Sequence, residues 1–363
     1  MSFRGLRTFA ICAALAVAVP GMADPNAEFT AAFEAYREAM ESARYLAAVG
    51  HAEKARRLGD EIYADDVEVR ATLAYNHGHA QAMWGMNSPA YGTLKEASKL
   101  MRQAHGPNSE EVLQVETALL KTAPDHAARR HLTRVLKLAR QHYPGDSDLM
   151  AEIKLTGGIR AWWDRRAIPL LNEAAETFAR LGNTERQAYA VFWIGKIHIG
   201  RAKYDKAVES MTPVVDMLPA ADSIALMARA NLVEAYEKLG KSDKATEHCL
   251  AIGQTTPWTG TANYQPLFKR PPSYPRNALV RNANGYVLLE FTVDEMGFVR
   301  DPKVVEARTA KDVKPSEQPD IVWAFEQAAI EAAEKFRYAP KFVDGEPVAV
   351  EGVRNRIVFQ MQR

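Results

Sequence analysis

The chain has 363 residues, 47% of them hydrophobic, which is enough material for two or three cored domains. Its formal charge is +1 with both signs interspersed, so the chain as a whole carries no electrostatic footprint for nucleic acid or an anionic membrane. The residue content is that of an ordered protein, so no long disordered tracts are expected.

The first segment reads as a targeting sequence. Arg4 and Arg7 form a basic start, Thr8 to Val19 is apolar, Pro20 breaks the run, and Gly21-Met22-Ala23 offers small residues ahead of Asp24. An apolar run of about 12 residues falls short of the roughly 20 that span a hydrocarbon core, so residues 1–23 are predicted as a cleavable signal peptide. Loss of Arg4 and Arg7 would take the formal charge from +1 to −1. Ile11 stands before Cys12 where a lipoprotein signal needs a small residue, so no lipid anchor is expected. Cleavage leaves Cys249 alone, which excludes an intramolecular disulfide. It sits on a predicted helix beside Leu250, Ala251 and Ile252 and is expected to act as a buried small hydrophobe.

From about Pro25 to Pro257 apolar residues recur every three to four positions between short breaks, which predicts helix after helix. Such breaks are Gly50-His51, Gly59-Asp60, Gly106 to Ser109, Pro144 to Asp146, and Leu181 to Asn183. Two segments resemble tetratricopeptide (TPR) repeats. In one, Ile194-Gly195 lies on the first helix, Tyr204 to Ala207 opens the second, and Pro219 closes the unit. In the other, Leu232 and Tyr236 precede Gly240, Ala245 is the small residue of the second helix, and Pro257 closes it. Upstream, Tyr91 to Ala97 looks like a longer-loop variant, and Pro169 suits the first turn of a helix whose apolar face is Leu170, Leu171, Ala174, Ala175 and Phe178. A TPR-like solenoid over residues 24–257 is therefore expected, serving either as a protein-binding surface or as a spacer.

A connector over 258–270 leads to residues 271–363, where the pattern changes. Pro275 suits the start of a short helix, and Val287, Leu289, Phe291 and Val293 then alternate with Tyr286, Leu288, Glu290 and Thr292 as a strand. Asp294 to Gly297 is a hairpin loop, and Phe298 to Ala307 a second strand in which Pro302 marks an edge or bulge. After a loop with Pro315 and Pro319, the residues Phe325, Ala328, Ala329, Ala332 and Phe336 form a helical apolar face. Tyr338-Ala339-Pro340 ends it, Asp344-Gly345 turns, and Val353, Ile357, Phe359 and Met361 form a last strand. The expected fold is a small antiparallel α+β domain.

These pieces resemble the C-terminal domain of the TonB family over nearly all of Pro271 to Met361. The matching residues are Tyr274-Pro275 with Ala278, Gly285-Tyr286-Val287, Phe291 to Asp294 with Gly297 and Val299, and Phe325 with Ala328-Ala329. The match continues through Phe336 to Pro340, Gly345 to Val348, and Ile357 with Phe359. The resemblance implies a periplasmic protein-binding module that takes an extended peptide of an outer-membrane receptor by β-augmentation beside the last strand. On this chain that edge is Val353 to Met361, with Val353, Arg354, Asn355, Arg356, Ile357, Val358 and Phe359 as candidate contacts. The family's other receptor-contact region precedes Tyr274. There the chain has Arg270-Pro271-Pro272-Ser273, so Arg270, Ser273 and Tyr274 complete the candidate set, without the glutamine of the best-known members. The transmembrane helix and the long Pro-, Glu- and Lys-rich span of an energy transducer are replaced by the predicted signal and helical region. Motor coupling and an inner-membrane location would require residues 8–23 to be retained as an anchor. Membrane contact is otherwise not expected.

No catalytic constellation is visible: there is no phosphate-cradling Gly loop, nucleophile elbow or metalloprotease helix. His77-Gly78-His79 lacks a third ligand at metal spacing, and Trp162-Trp163-Asp164 reads as core and surface of one helix. The chain is thus expected to bind proteins, not nucleic acid or a small-molecule substrate, with no cofactor and no enzymatic activity.

Overall fold

The computed structural model describes residues 25–256, 258–260, 264–309 and 318–361. The predicted signal, Pro257 and the Pro315 loop lie outside them. The chain divides into two compact units, Met1–Asn183 and Thr184–Arg363.

The first unit is built of helical hairpins, each helix packed on the next: α1 (Pro25–Glu41), α2 (Tyr45–Ile62), α3 (Val67–Met83), α4 (Asn87–His105), α5 (Glu110–Thr122), α6 (Asp125–His142), α7 (Asp148–Arg160) and α8 (Ala167–Arg180). Three of them start on a side chain that caps the helix. Asp66 accepts from the backbone N–H groups of Glu68 and Val69, Ser109 from Val112, and Ser147 from Met150. Small residues allow close approach. A Cβ on Gly59 would stand 2.2 Å from Leu73 Cδ1, and one on Gly157 2.4 Å from Leu132 Cδ1. Gly50-His51 and Gly59-Asp60, expected as breaks, lie inside α2. Glycine there serves packing at Gly59, while Gly50 faces open space.

Two further hairpins open the second unit: α9 (Thr184–Gly200) with α10 (Tyr204–Met217), and α11 (Ser223–Lys238) with α12 (Ser242–Thr255). They follow the expected repeat logic. Met211 Cγ would lie 2.5 Å from a Cβ on Gly195, and Ala207, Leu232 and Ala245 are fully buried. The helical region is a TPR-like solenoid of hairpins.

The small domain follows: α13 (Arg276–Val280), β1 (Gly285–Val293), β2 (Val299–Thr309), α14 (Gln318–Ala333), β3 (Lys341–Val343), β4 (Glu346–Val348) and β5 (Val350–Phe359). The sheet order is β2-β1-β5, antiparallel throughout, and α14 covers one face. Val287, Leu289, Phe291 and Val293 pack with Ile321, Phe325, Ala329, Val353, Ile357 and Phe359 into one core. Three details differ from the sequence expectation. Pro319 lies in the first turn of α14, where its missing N–H costs nothing. That helix ends at Ala333, so Phe336 reaches the core from the turn beyond it. The strands flanking Asp344-Gly345, too short to show a period, pair as a hairpin of their own.

Both outer strands bulge beside the same point of β1. In β2, Asp301-Pro302 stand opposite Phe291, with Asp301 at φ 49°. In β5, Glu351-Gly352 stand opposite Thr292, with Gly352 at φ 68°, a left-handed conformation that glycine adopts at least cost.

A strand edge and a docked arginine

Strand β5 pairs with β1 on one side, and no described strand pairs on its other side. Beyond the Gly352 bulge it alternates cleanly. The Val353, Ile357 and Phe359 side chains are core, and Phe359 stacks on Phe325 with ring centroids 4.3 Å apart. These three can offer a partner only their backbone. The opposite face carries Arg354, Arg356 and Val358, all exposed. Arg354 Nε donates to Glu290 Oε2 at 2.8 Å, and the Arg356 guanidinium lies 3.7 Å over the Tyr286 ring. Val358 stands beside that ring as the cross-strand neighbour of Tyr286.

The segment before α13 runs alongside. Lys269 Nζ donates to Asn355 Oδ1 at 2.9 Å and approaches the Arg356 carbonyl at 3.5 Å. Asn355 in turn donates from Nδ2 to the Tyr338 hydroxyl at 3.4 Å. Tyr274 is edge-on to both Phe325 and Phe359, and its hydroxyl donates to the Ala283 carbonyl. Burial raises its phenol pKa. The structure therefore brings Tyr274 and Phe359 together, ties Asn355 to Lys269 and Tyr338, and leaves Arg270 and Ser273 exposed.

Part of the segment expected as a connector packs against this domain. Tyr264 donates its hydroxyl to the Ala339 carbonyl at 2.5 Å, and Leu267 and Phe268 bridge to the Arg337 backbone.

Sequence reasoning missed Arg337, which is only 1% exposed. It projects from the small domain onto α11 and α12. Nη1 pairs with Glu237 at 2.8 Å, and Nη2 donates to Thr246 Oγ1 at 2.6 Å and to the Met296 carbonyl at 3.2 Å. The guanidinium also covers the Phe298 ring at 3.6 Å. Cys249 is fully buried beside it, and burial pushes the thiol up to about 11 against the lowering pull of Arg337. Nearby, a Cβ on Gly253 of α12 would stand 2.2 Å from the Pro340 carbonyl. The available signal was an arginine between Phe336 and Tyr338, two aromatics that had to be buried.

The two histidines weighed as metal ligands are otherwise engaged. His77 Nε2 hydrogen-bonds Gln81 at 3.0 Å, and His79 stacks on Tyr75 at 5.7 Å. Among the described residues no group of three His, Cys, Asp or Glu is placed to hold a metal ion.

Among the described residues the antiparallel sheet has two unpaired edges, β2 and β5, and is backed by α14. Residues 270–361 match the family described as Gram-negative bacterial TonB protein C-terminal, so this part of the chain is similar to that domain. The domain points to a protein-interaction role and an envelope location. No curated protein matches the chain. Among solved structures it is similar to BtubC (BKLC) from P. vanneervenii, at 16% identity over 69% of this chain and 98% of that one, with a TM-score of 0.30. It is also similar to a Podosopora anserina kinesin-light-chain-type protein with nearly identical TPR-like repeats, at 14% identity over 64% and 95%, with a TM-score of 0.32. Among the described residues no helix is long and apolar enough to cross a membrane.

Proposed function

We propose that the free edge of β5 captures an extended peptide of an outer-membrane receptor by β-augmentation. One observation carries this reading: of the two sheet edges, only β5 offers a regular run, Val353 to Phe359. β2 is broken by its irregular register at Leu288/Leu289 and by the bulge at Asp301-Pro302, and an edge proline and bulges make a poor template. Main-chain pairing supplies affinity, and Arg354, Arg356 and Val358 select side chains on the exposed face. Residues 1–23 are the export signal in this reading, with the solenoid at 24–257, a connector at 258–270 and the capturing domain at 271–363. Titrating the full chain with TonB-box peptides tests it, and no detectable binding at millimolar peptide sinks it.

A second reading is favoured by Arg337. A domain fixed to α11 and α12 suits a periplasmic scaffold whose working surface is the TPR-like solenoid. Crosslinks that map partners solely to residues 25–257 would establish it over the first. A motor-coupled transducer would require the anchor to be retained, and a mature N-terminus at Asp24, read by mass spectrometry, eliminates that role.

A further inference from the structure

Successive helices of the first unit are antiparallel, so the turns from odd to even helices share one edge and those from even to odd helices the other. The two edges differ in chemistry. Helices α3, α5 and α7 begin on the side-chain caps Asp66, Ser109 and Ser147. The residues that enter α2, α4, α6 and α8 (Arg44, Met86, Pro124 and Arg166) make no side-chain cap. Among the described residues of this unit, the large apolar side chains left exposed are Leu46, Trp84, Met86, Trp162, Trp163 and Leu181. All but Leu181 sit at odd-to-even turns.

The α7–α8 turn is the most developed. Trp162 and Trp163 are 45% and 36% exposed, edge-on at 6.1 Å, and lie in the turn, not on one helix as their sequence suggested. Buried charge holds the turn in place. Asp164 is 2% exposed and accepts from Arg166 N at 2.9 Å and from Arg129 Nε at 2.9 Å. Arg160 ties the turn to the end of α5, donating to the Ala123 carbonyl at 2.6 Å. Two tryptophans are thus presented on a fixed tip. Beside it Arg129 and Arg166 pair with Asp164 and Arg160 reaches Asp125 at 4.0 Å, while Arg130 and Arg165, next in sequence to this network, are exposed, so five arginines gather with two aspartates in a chain whose overall charge is balanced.

We propose that this edge rests on an anionic lipid bilayer, with Trp162 and Trp163 at headgroup depth and the arginines against lipid phosphates. Indole rings and cationic side chains on one surface are the combination that partitions to a membrane interface. A turn tip presenting two rings is too small for a stable protein interface, which needs about 800 Å² per partner.

The test uses the full chain with vesicles of one-third phosphatidylglycerol in phosphatidylethanolamine, against neutral phosphatidylcholine vesicles. Binding is expected only to the anionic vesicles, with brominated lipid quenching tryptophan fluorescence. W162A/W163A should abolish most of that quenching, and R130Q/R165Q should weaken binding about tenfold or more. Quenching is local, so it separates contact by this edge from contact by residues 1–23. All four positions are exposed, and unchanged circular dichroism confirms that the variants fold. Absence of vesicle binding, or quenching that W162A/W163A leaves intact, overturns the proposal. Capture of a polyglutamate peptide by these residues without vesicle binding would replace the lipid with an acidic protein partner.

Discussion

Arg337 and Glu237 stand one hundred positions apart in the chain, yet their side chains meet as a 2.8 Å ion pair that fastens the TonB-type domain to α11. Arg337→Met would leave Glu237 without its guanidinium in a site that is largely desolvated. The expected cost is about 3–5 kcal/mol, the penalty for stranding one member of a buried pair. Replacing both, as R337M/E237M, should recover much of that loss. Urea unfolding followed by fluorescence measures both, and a single variant within about 0.5 kcal/mol of wild type contradicts the assignment.

Two glycine-to-alanine substitutions on helices should move stability in opposite directions. At Gly253 the new methyl would strike the Pro340 carbonyl, a backbone atom with little room to yield, for a loss of about 1–3 kcal/mol. At Gly50 nothing stands within 4 Å, and alanine should add up to about 1 kcal/mol of helix propensity. Thermal melts of the two variants side by side would show the contrast.

Acid should weaken the first unit through His79. Burial, and next Lys121, depress its pKa to about 4 from an ordinary 6.5. The unfolded chain then binds a proton that the folded chain refuses. Stability is full above about pH 6.5 and falls by roughly 1.4 kcal/mol per pH unit toward pH 4. His248 adds a parallel dependence in the second unit, also depressed to about 4 by burial and then Arg229. His79→Phe should reduce the pH dependence of the first unit to what His77, also lowered by burial, contributes, and leave that of His248 intact, as hydrogen exchange on each unit would report.

Lys269 guards the edge that the proposed peptide would use. Its ammonium holds Asn355 and lies against the Arg356 carbonyl. Lys269→Ala frees both and should tighten peptide binding several-fold if the strand adds beside β5, while leaving the melting temperature within a few degrees. Calorimetric titration reads the affinity, and weaker binding would mean that Lys269 itself contacts the peptide.

Much of the small domain was legible because its core follows a period of two in β1 and of three to four in α14. Gly285, Gly297 and Tyr274-Pro275 supplied the punctuation. The repeat signal was equally local: Gly195, Ala207 and Ala245 are small because a neighbouring helix crosses there. What periodicity could not carry was long-range pairing of polar groups. Nothing near Arg337 announces Glu237 or Thr246, and nothing near Asp164 announces Arg129. Gly59, packed against Leu73, misled for a related reason, whereas Gly50 faces open space and has no such neighbour. A glycine within a helix reads as a break until the neighbour that packs against it is known. The last strand was legible from Val353 to Phe359, but Met361 lies beyond its end, and only the bulge at Gly352 shows where its regular portion begins.

That bulge acts as a ruler. Past Gly352 the strand is regular from Val353 to Phe359, and at roughly 3.3 Å per residue this gives about 23 Å of unbroken ladder. A guest strand longer than about seven residues would find its far end turned away from the sheet by the bend. In the proposed capture, selectivity by length would follow from one left-handed backbone position.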